Sequence, residues 1–108
     1  MTRQYAIVRG RMLDDPDYQA KDGTETVVLH IGVRMPTGCA EPVTIHAGDT
    51  MPAYCRHSRL GQGDMLVASG WIQPETLPVW PGTVMKPVMM RADMLAIGTS
   101  IDWSPAHE

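Results

Sequence analysis

The sequence predicts an all-β domain, a small five-stranded Greek-key barrel with one short helix between its third and fourth strands. Three observations predict it. Segments rich in β-forming residues recur between turn residues, apolar residues alternate within those segments, and a single stretch with three-and-four spacing interrupts the series.

The first strand spans residues 4–13, and Asp14-Asp15-Pro16-Asp17 breaks it. Lys21-Asp22-Gly23 is a turn signal, since Asp-Gly favours a tight reversal. The second strand covers residues 25–34, with Thr26, Val27, Val28, Leu29, Ile31 and Val33. Residues 35–42 hold two prolines and a glycine and form a loop, and residues 42–48 form the third strand. Across residues 50–60 the period changes. Thr50 suits an N-cap, Pro52 suits a first helical turn, and Met51, Tyr54, Cys55 and Ser58 share one helical face that Gly61 ends. Gly63-Asp64 turns into the fourth strand, residues 65–73. A Pro-rich arm, residues 74–87, carries Trp80 and Lys86, and the last strand runs over residues 88–97. The domain is expected over residues 1–98, followed by a tail at 99–108. Five strands with a helix between the third and fourth is the order of an OB-fold, whereas a parallel α/β sheet or a helical bundle would show another order.

A chain of 108 residues has room for one such domain, and 44% hydrophobic against 19% charged residues excludes a disordered chain. No stretch reaches the roughly 20 apolar residues of a membrane helix, and no leader pattern opens the sequence, so a cytoplasmic protein is expected. Cys39 and Cys55 match no zinc spacing and no disulfide framework. Nine methionines and no Phe suggest Met as the core filler. The net charge of −3 weighs against nucleic acid as a partner, although binding depends on local charge rather than on the sum.

Strand alternation separates the faces. Val27, Leu29, Ile31 and Val33 form a core row, leaving Thr26, Val28, His30, Gly32 and Arg34 outward. Val43, Ile45 and Ala47 face in, with Thr44, His46 and Gly48 opposite. In the fourth strand Leu66, Ala68, Gly70 and Ile72 face in, and Met65, Val67, Ser69 and Trp71 face out. In the first, Ala6, Val8 and Met12 suit the core, leaving Tyr5, Arg9 and Arg11 outward. OB-folds bind ligands on the outer face of strands two and three and on the neighbouring loops.

Several segments resemble bacterial single-stranded DNA-binding proteins. Val8-Arg9-Gly10-Arg11-Met12-Leu13-Asp14-Asp15-Pro16 is similar to that family's opening strand and turn, and Gly23-Thr24 to its entry into the second strand. Val43 to Ala47, Leu60-Gly61-Gln62-Gly63-Asp64 and Leu66-Val67-Ala68-Ser69-Gly70 resemble its third strand, the turn after its helix and its fourth strand, so the likeness runs over residues 4–97. The resemblance implies an oligomeric OB-fold that holds single-stranded DNA in replication, repair or recombination. At the family's approximate stacking positions this chain has Met35, Ala40, His46 and Leu77, of which His46 alone carries a ring. The family's acidic, Phe-ended tail is replaced by Ser-Pro-Ala-His-Glu, so recruitment of partners through such a tail is not expected.

Sequence-neutral strand binding needs cations for phosphates and flat rings for bases, each good stack contributing ~1–3 kcal/mol. The nucleic-acid-binding candidates are therefore Arg9, Arg11, His30, Arg34, His46, Trp71, Trp80 and Lys86, with Tyr5 a further ring and Arg56, Arg59 and Arg91 further cations. The competing reading pairs these cations with Asp14, Asp15 and Asp17, and makes Trp80 a subunit anchor. Tyr54 is expected to plug the barrel. His30 and His46 share a face, with Asp49 the nearest third group, a weak metal pattern. Cys55 and His57 point to different sides of a helix, the adjacent His57 and Ser58 do not face each other, and no phosphate loop or nucleophile motif occurs, so no enzyme and no cofactor are expected. Single-stranded DNA and a homo-oligomeric partner copy are the expected partners. The alternative is a barrel that has become a protein-interaction module without DNA binding.

Overall fold

The computed structural model describes residues 4–34, 38, 40–73 and 88–98. Its elements are β1 (Gln4–Met12), β2 (Asp17–Lys21), β3 (Thr24–Arg34), β4 (Ala40–Ala47), α1 (Met51–His57), β5 (Met65–Ile72) and β6 (Val88–Ile97). The expected second, third, fourth and fifth strands are thus β3, β4, β5 and β6. The sheet order is β1-β5-β6-β4-β3-β2, and a further β1–β3 pairing closes it into a barrel. Closure is antiparallel except at β4–β6, which run parallel from Val43↔Val88 to His46↔Arg91.

β2 has no counterpart among the strands expected from sequence. Asp17 and Lys21 are poor strand formers, so residues 14–23 read as one break. Yet Asp22 and Gly23 both adopt positive φ, 54° and 77°, as a type I′ reversal requires, and the hairpin zips from Lys21↔Thr24 to Asp17↔Val28. β1 takes over the same edge of β3 at Arg11↔Gly32 and Met12↔Ile31. β1 and β2 therefore share one barrel position, and the closed barrel has five strands. At the handover a Cβ on Gly10 would stand 2.7 Å from the Gly32 carbonyl oxygen, so the crossing strands require a glycine there.

The core follows the predicted alternation. Val27, Leu29 and Ile31 of β3, Val43, Ile45 and Ala47 of β4, and Leu66 and Ala68 of β5 are buried. Met12 and Met90 fill the space that Phe would take. Val28 and Thr44, expected outward, are also buried, because they lie on the central strands with a neighbour on each side.

The helix is shorter than expected. It ends at His57, and Gly61 does not terminate it. Arg59 takes the left-handed conformation at φ 56°, and the Leu60 and Arg59 amides donate to the Cys55 and Arg56 carbonyls, a Schellman ending without its usual glycine. Thr50 precedes the helix but its side chain makes no capping hydrogen bond. Pro52 and Cys55 are the buried face. Tyr54 is not the plug. It stays partly exposed, and its hydroxyl accepts a hydrogen bond from the Ile97 amide at 3.0 Å, tying the helix to β6. No helix among the described residues is long and apolar enough to cross a membrane.

Candidate nucleic-acid interface

The mouth where β1 leaves β5 for β3 opens into a groove of about 560 Å³, lined by Arg9, Gly10, Arg11, Leu13, Gly32, Arg34, Ala40 and Met65. Strand period places the three arginines there. Arg9 and Arg11 are outward residues of β1, and Arg34 ends the outward row of β3. Gly10 and Gly32 are part of the lining, and the Leu13 side chain packs over the Gly32 position. Three guanidinium groups and no carboxylate line the groove, in a chain whose net charge is −3.

The three aspartates that could have neutralised these arginines are engaged elsewhere. Asp14 Oδ1 lies 3.1 Å from His30 Nδ1. Asp15 Oδ1 accepts the Gln62 amide at 2.9 Å, and Asp17 Oδ2 accepts from Gln19 Nε2 at 3.0 Å. Arg11 Nη1 donates to the Gly63 carbonyl at 2.8 Å, which steadies its head without cancelling its charge. Arg9 and Arg34 have no carboxylate partner among the described residues. Arg56 is different. It pairs with Glu25 and lies 3.9 Å over the Tyr18 ring, so it ties α1 to the hairpin rather than serving as a free cation. The hydrogen bond from Arg56 lowers the Glu25 pKa, while burial raises that of Tyr18.

The rings fall into a second group. Cross-strand register sets Tyr5 opposite Trp71, Trp71 opposite Arg91, and Arg91 opposite His46, one outward row over β1, β5, β6 and β4. Trp71 is 44% and Tyr5 48% exposed. Their rings meet edge to face, 4.9 Å between centroids and 77° between planes. The Tyr5 hydroxyl donates to the Asp93 carboxylate, 2.9 Å from Oδ1, and Ser69 Oγ donates to the same oxygen at 3.2 Å. Arg91 and His46 line a smaller hollow of about 360 Å³ with Thr26, Ala47, Gly48, Gln73 and Met89. His46 Nε2 is covered and has no hydrogen-bond partner among the described residues.

The sequence-predicted residues thus divide. Arg9, Arg11 and Arg34, on β1 and β3, gather at one mouth of the barrel, and Trp71 on β5 and His46 on β4 share the row that starts at Tyr5. His30 lies between them, facing Asp14. It is diagonal to His46 rather than opposite it, since its register partner is Thr44. No cluster of three metal-ligating side chains occurs among the described residues. Trp80 and Lys86, like Cys39 and the tail, lie outside the described residues. Sequence reasoning missed Asp93: the buried positions shift parity from Met90 and Ala92 to Ile97, one extra residue in β6, but the unbroken apolar run from Met94 to Ile97 hides that shift in the sequence.

No family model and no curated protein matches the chain. Solved structures do. The second single-stranded DNA-binding protein of Mycobacterium smegmatis superposes with a TM-score of 0.69 at 18% identity, covering 89% of each chain. The small single-stranded DNA-binding protein of Streptomyces coelicolor gives 0.69 at 17%, covering 90% of this chain and 94% of that one. The dimeric N-terminal domain of PriB from Thermoanaerobacter tencongensis gives 0.62 at 8% identity, covering 86% and 93%. The barrel built by these residues is an OB-fold of the form seen in single-stranded DNA-binding proteins.

Proposed function

We propose that the chain binds single-stranded DNA without sequence preference. One observation carries this reading: the groove at the β1–β3 handover presents Arg9, Arg11 and Arg34 with no acidic residue in its lining. Arginine pairs with phosphate through a planar fork of donors, and backbone contacts of this type are indifferent to base sequence. Trp71 and His46, with Trp80 on the arm, take bases, and Lys86 adds a cation. The Mycobacterium smegmatis and Streptomyces coelicolor proteins of the same fold named above are single-stranded DNA-binding proteins, which supports the same ligand here. A role in replication, repair or recombination and a cytoplasmic location fit this ligand.

The chain acts as a homo-oligomer in this reading. Residues 4–10 of β1 pair only with β5 among the described residues, which leaves an open edge that a second copy can extend. Joining two barrels multiplies weak contacts through high effective concentration.

The test is titration of a labelled oligo-dT at low and at moderate salt. Saturable binding at low salt that weakens steeply as salt rises is expected. Absence of binding in low salt, at protein concentrations where the oligomer persists, overturns the proposal.

A second reading, a barrel devoted to protein contacts, rests on Ile7 and Met94, 73% and 64% exposed beside Val67 on the outer face. Nuclease-treated pull-down separates the two: a protein partner retained by Trp71→Ala and Arg34→Ala variants whose DNA affinity is unchanged favours the second.

A further inference from the structure

Tyr5, Trp71 and Arg91 stand in register on three neighbouring strands. We propose that they form a platform for a nucleobase of single-stranded DNA, with Asp93 the positioning residue that fixes Tyr5. The inference rests on the proposed function and adds to it a second subsite away from the arginine groove.

Adjacent strands lie about 4.8 Å apart, so the row from Tyr5 to His46 spans about 14 Å across the sheet. It presents two aromatic rings, a guanidinium and an imidazole in succession. Every member has a flat π-face, and every nucleobase has one to match it. Two large aromatic side chains left half exposed on a sheet are unusual unless something covers them.

The platform is held still by a backbone irregularity. Ser69 pairs with Met94 while Gly70 pairs with Ala92, so Asp93 is the extra residue of a β-bulge. Bulges re-aim a side chain, and this one turns a carboxylate outward to reach Tyr5 and Ser69. Tyr5, so fixed, packs edge to face on Trp71. Rings already ordered lose little freedom when a ligand stacks on them.

Charge sets where the ligand's phosphate lies. Asp93 is negative and occupies one side of the rings, so the backbone is held on the other side, at Arg91. There the hollow of about 360 Å³ has no carboxylate in its lining. Arg91 has no acidic partner among the described residues. Arg9 lies on the same outward row of β1 as Tyr5, four residues or about 13 Å away. The Asp93 carboxylate, hydrogen-bonded to Tyr5 and Ser69, stands between the arginine groove and the platform on this face, so the two are separate subsites rather than one continuous track.

The test uses the full chain carrying Trp80→Phe and Trp103→Phe, so that Trp71 is the sole tryptophan. Oligo-dT binding is followed by Trp71 emission and by anisotropy of a labelled strand. We expect Trp71 emission to be quenched in step with binding, and Tyr5→Leu or Arg91→Ala to weaken affinity about tenfold. Asp93→Asn and Asp93→Leu both remove the charge, but only the first retains an acceptor for Tyr5. Quenching preserved in the first and reduced in the second is the positioning signature. If the strand binds and Arg9→Ala weakens it, but Trp71 emission and the Tyr5 and Arg91 variants stay within twofold, the platform is overturned and DNA binding stands. A change in sedimentation with unchanged DNA affinity in Tyr5→Leu also overturns it, in favour of a subunit contact. If no strand binds at all, the proposed function falls and the platform with it.

Discussion

Arg59 sits in the left-handed region at φ 56°, the place where helices ordinarily put glycine. Its Cβ is strained there, and Arg59→Gly is expected to raise stability by about 0.5–1 kcal/mol, measured as a higher urea midpoint with an unchanged slope. Cys55 shows the opposite situation, a residue in comfortable surroundings that its ionised form would not tolerate. Burial pushes its thiol up to about 11 from 9.0. The neutral thiol is favoured in the fold, so this stabilisation is complete below pH 9 and is lost as pH rises from 9 towards 11. In a Cys39→Ser background iodoacetamide is expected to modify Cys55 only under conditions that unfold the chain, and rapid labelling of Cys55 in the native protein at pH 7.5 would contradict the burial. At this scale the identities of the cations are legible in the sequence but their partners are not. Asp14, Asp15 and Asp17 are plausible mates for Arg9, Arg11 and Arg34 by spacing alone, and contacts with His30, Gln62 and Gln19 take them instead. Such pairing depends on where loops end in space, which spacing along a chain does not encode.

The β5–β6 pair shows most clearly how local sequence sets an element. Gly70 packs so closely on β6 that an added Cβ would meet the Arg91 carbonyl and lie 2.7 Å from the Ala92 Cα. Gly70→Ala is therefore expected to destabilise the barrel by about 3 kcal/mol, with thermal unfolding as the measurement. An unchanged melting temperature would show that β6 yields more readily than the bulge geometry implies. Period-two alternation makes β1, β3, β4, β5 and β6 legible, because each buries one face against the same core. β2 is not legible, since its only inward contributor is the partly buried Tyr18 and its pairing comes from the Asp22-Gly23 turn rather than from its own pattern. The turn itself is readable; the strand that it implies on its N-terminal side is the consequence that periodicity hides. The helix lies where its spacing predicts and ends earlier, because Arg59 fills a position for which Gly61 is the obvious candidate.

At the scale of the whole molecule, net charge and local charge disagree. The acidic sum predicts a poor partner for DNA, while closing the barrel collects Arg9, Arg11 and Arg34 from two strands at one mouth and sends the nearby carboxylates elsewhere. Sequence periodicity puts each arginine outward; that they converge follows from the β1–β3 closure, a pairing between residues some 21 positions apart, as Arg11↔Gly32 shows. The most direct measurement is the salt dependence of oligo-dT affinity in the wild type and in the Arg9→Ala, Arg34→Ala double variant, which leaves the bond from Arg11 to Gly63 intact. Removing one phosphate interaction on a single strand flattens the slope of log K against log salt by about 0.7, so the double variant should be shallower by about 1.4 and weaker at low salt. Equal slopes in the two proteins would show that the groove does not carry the polynucleotide.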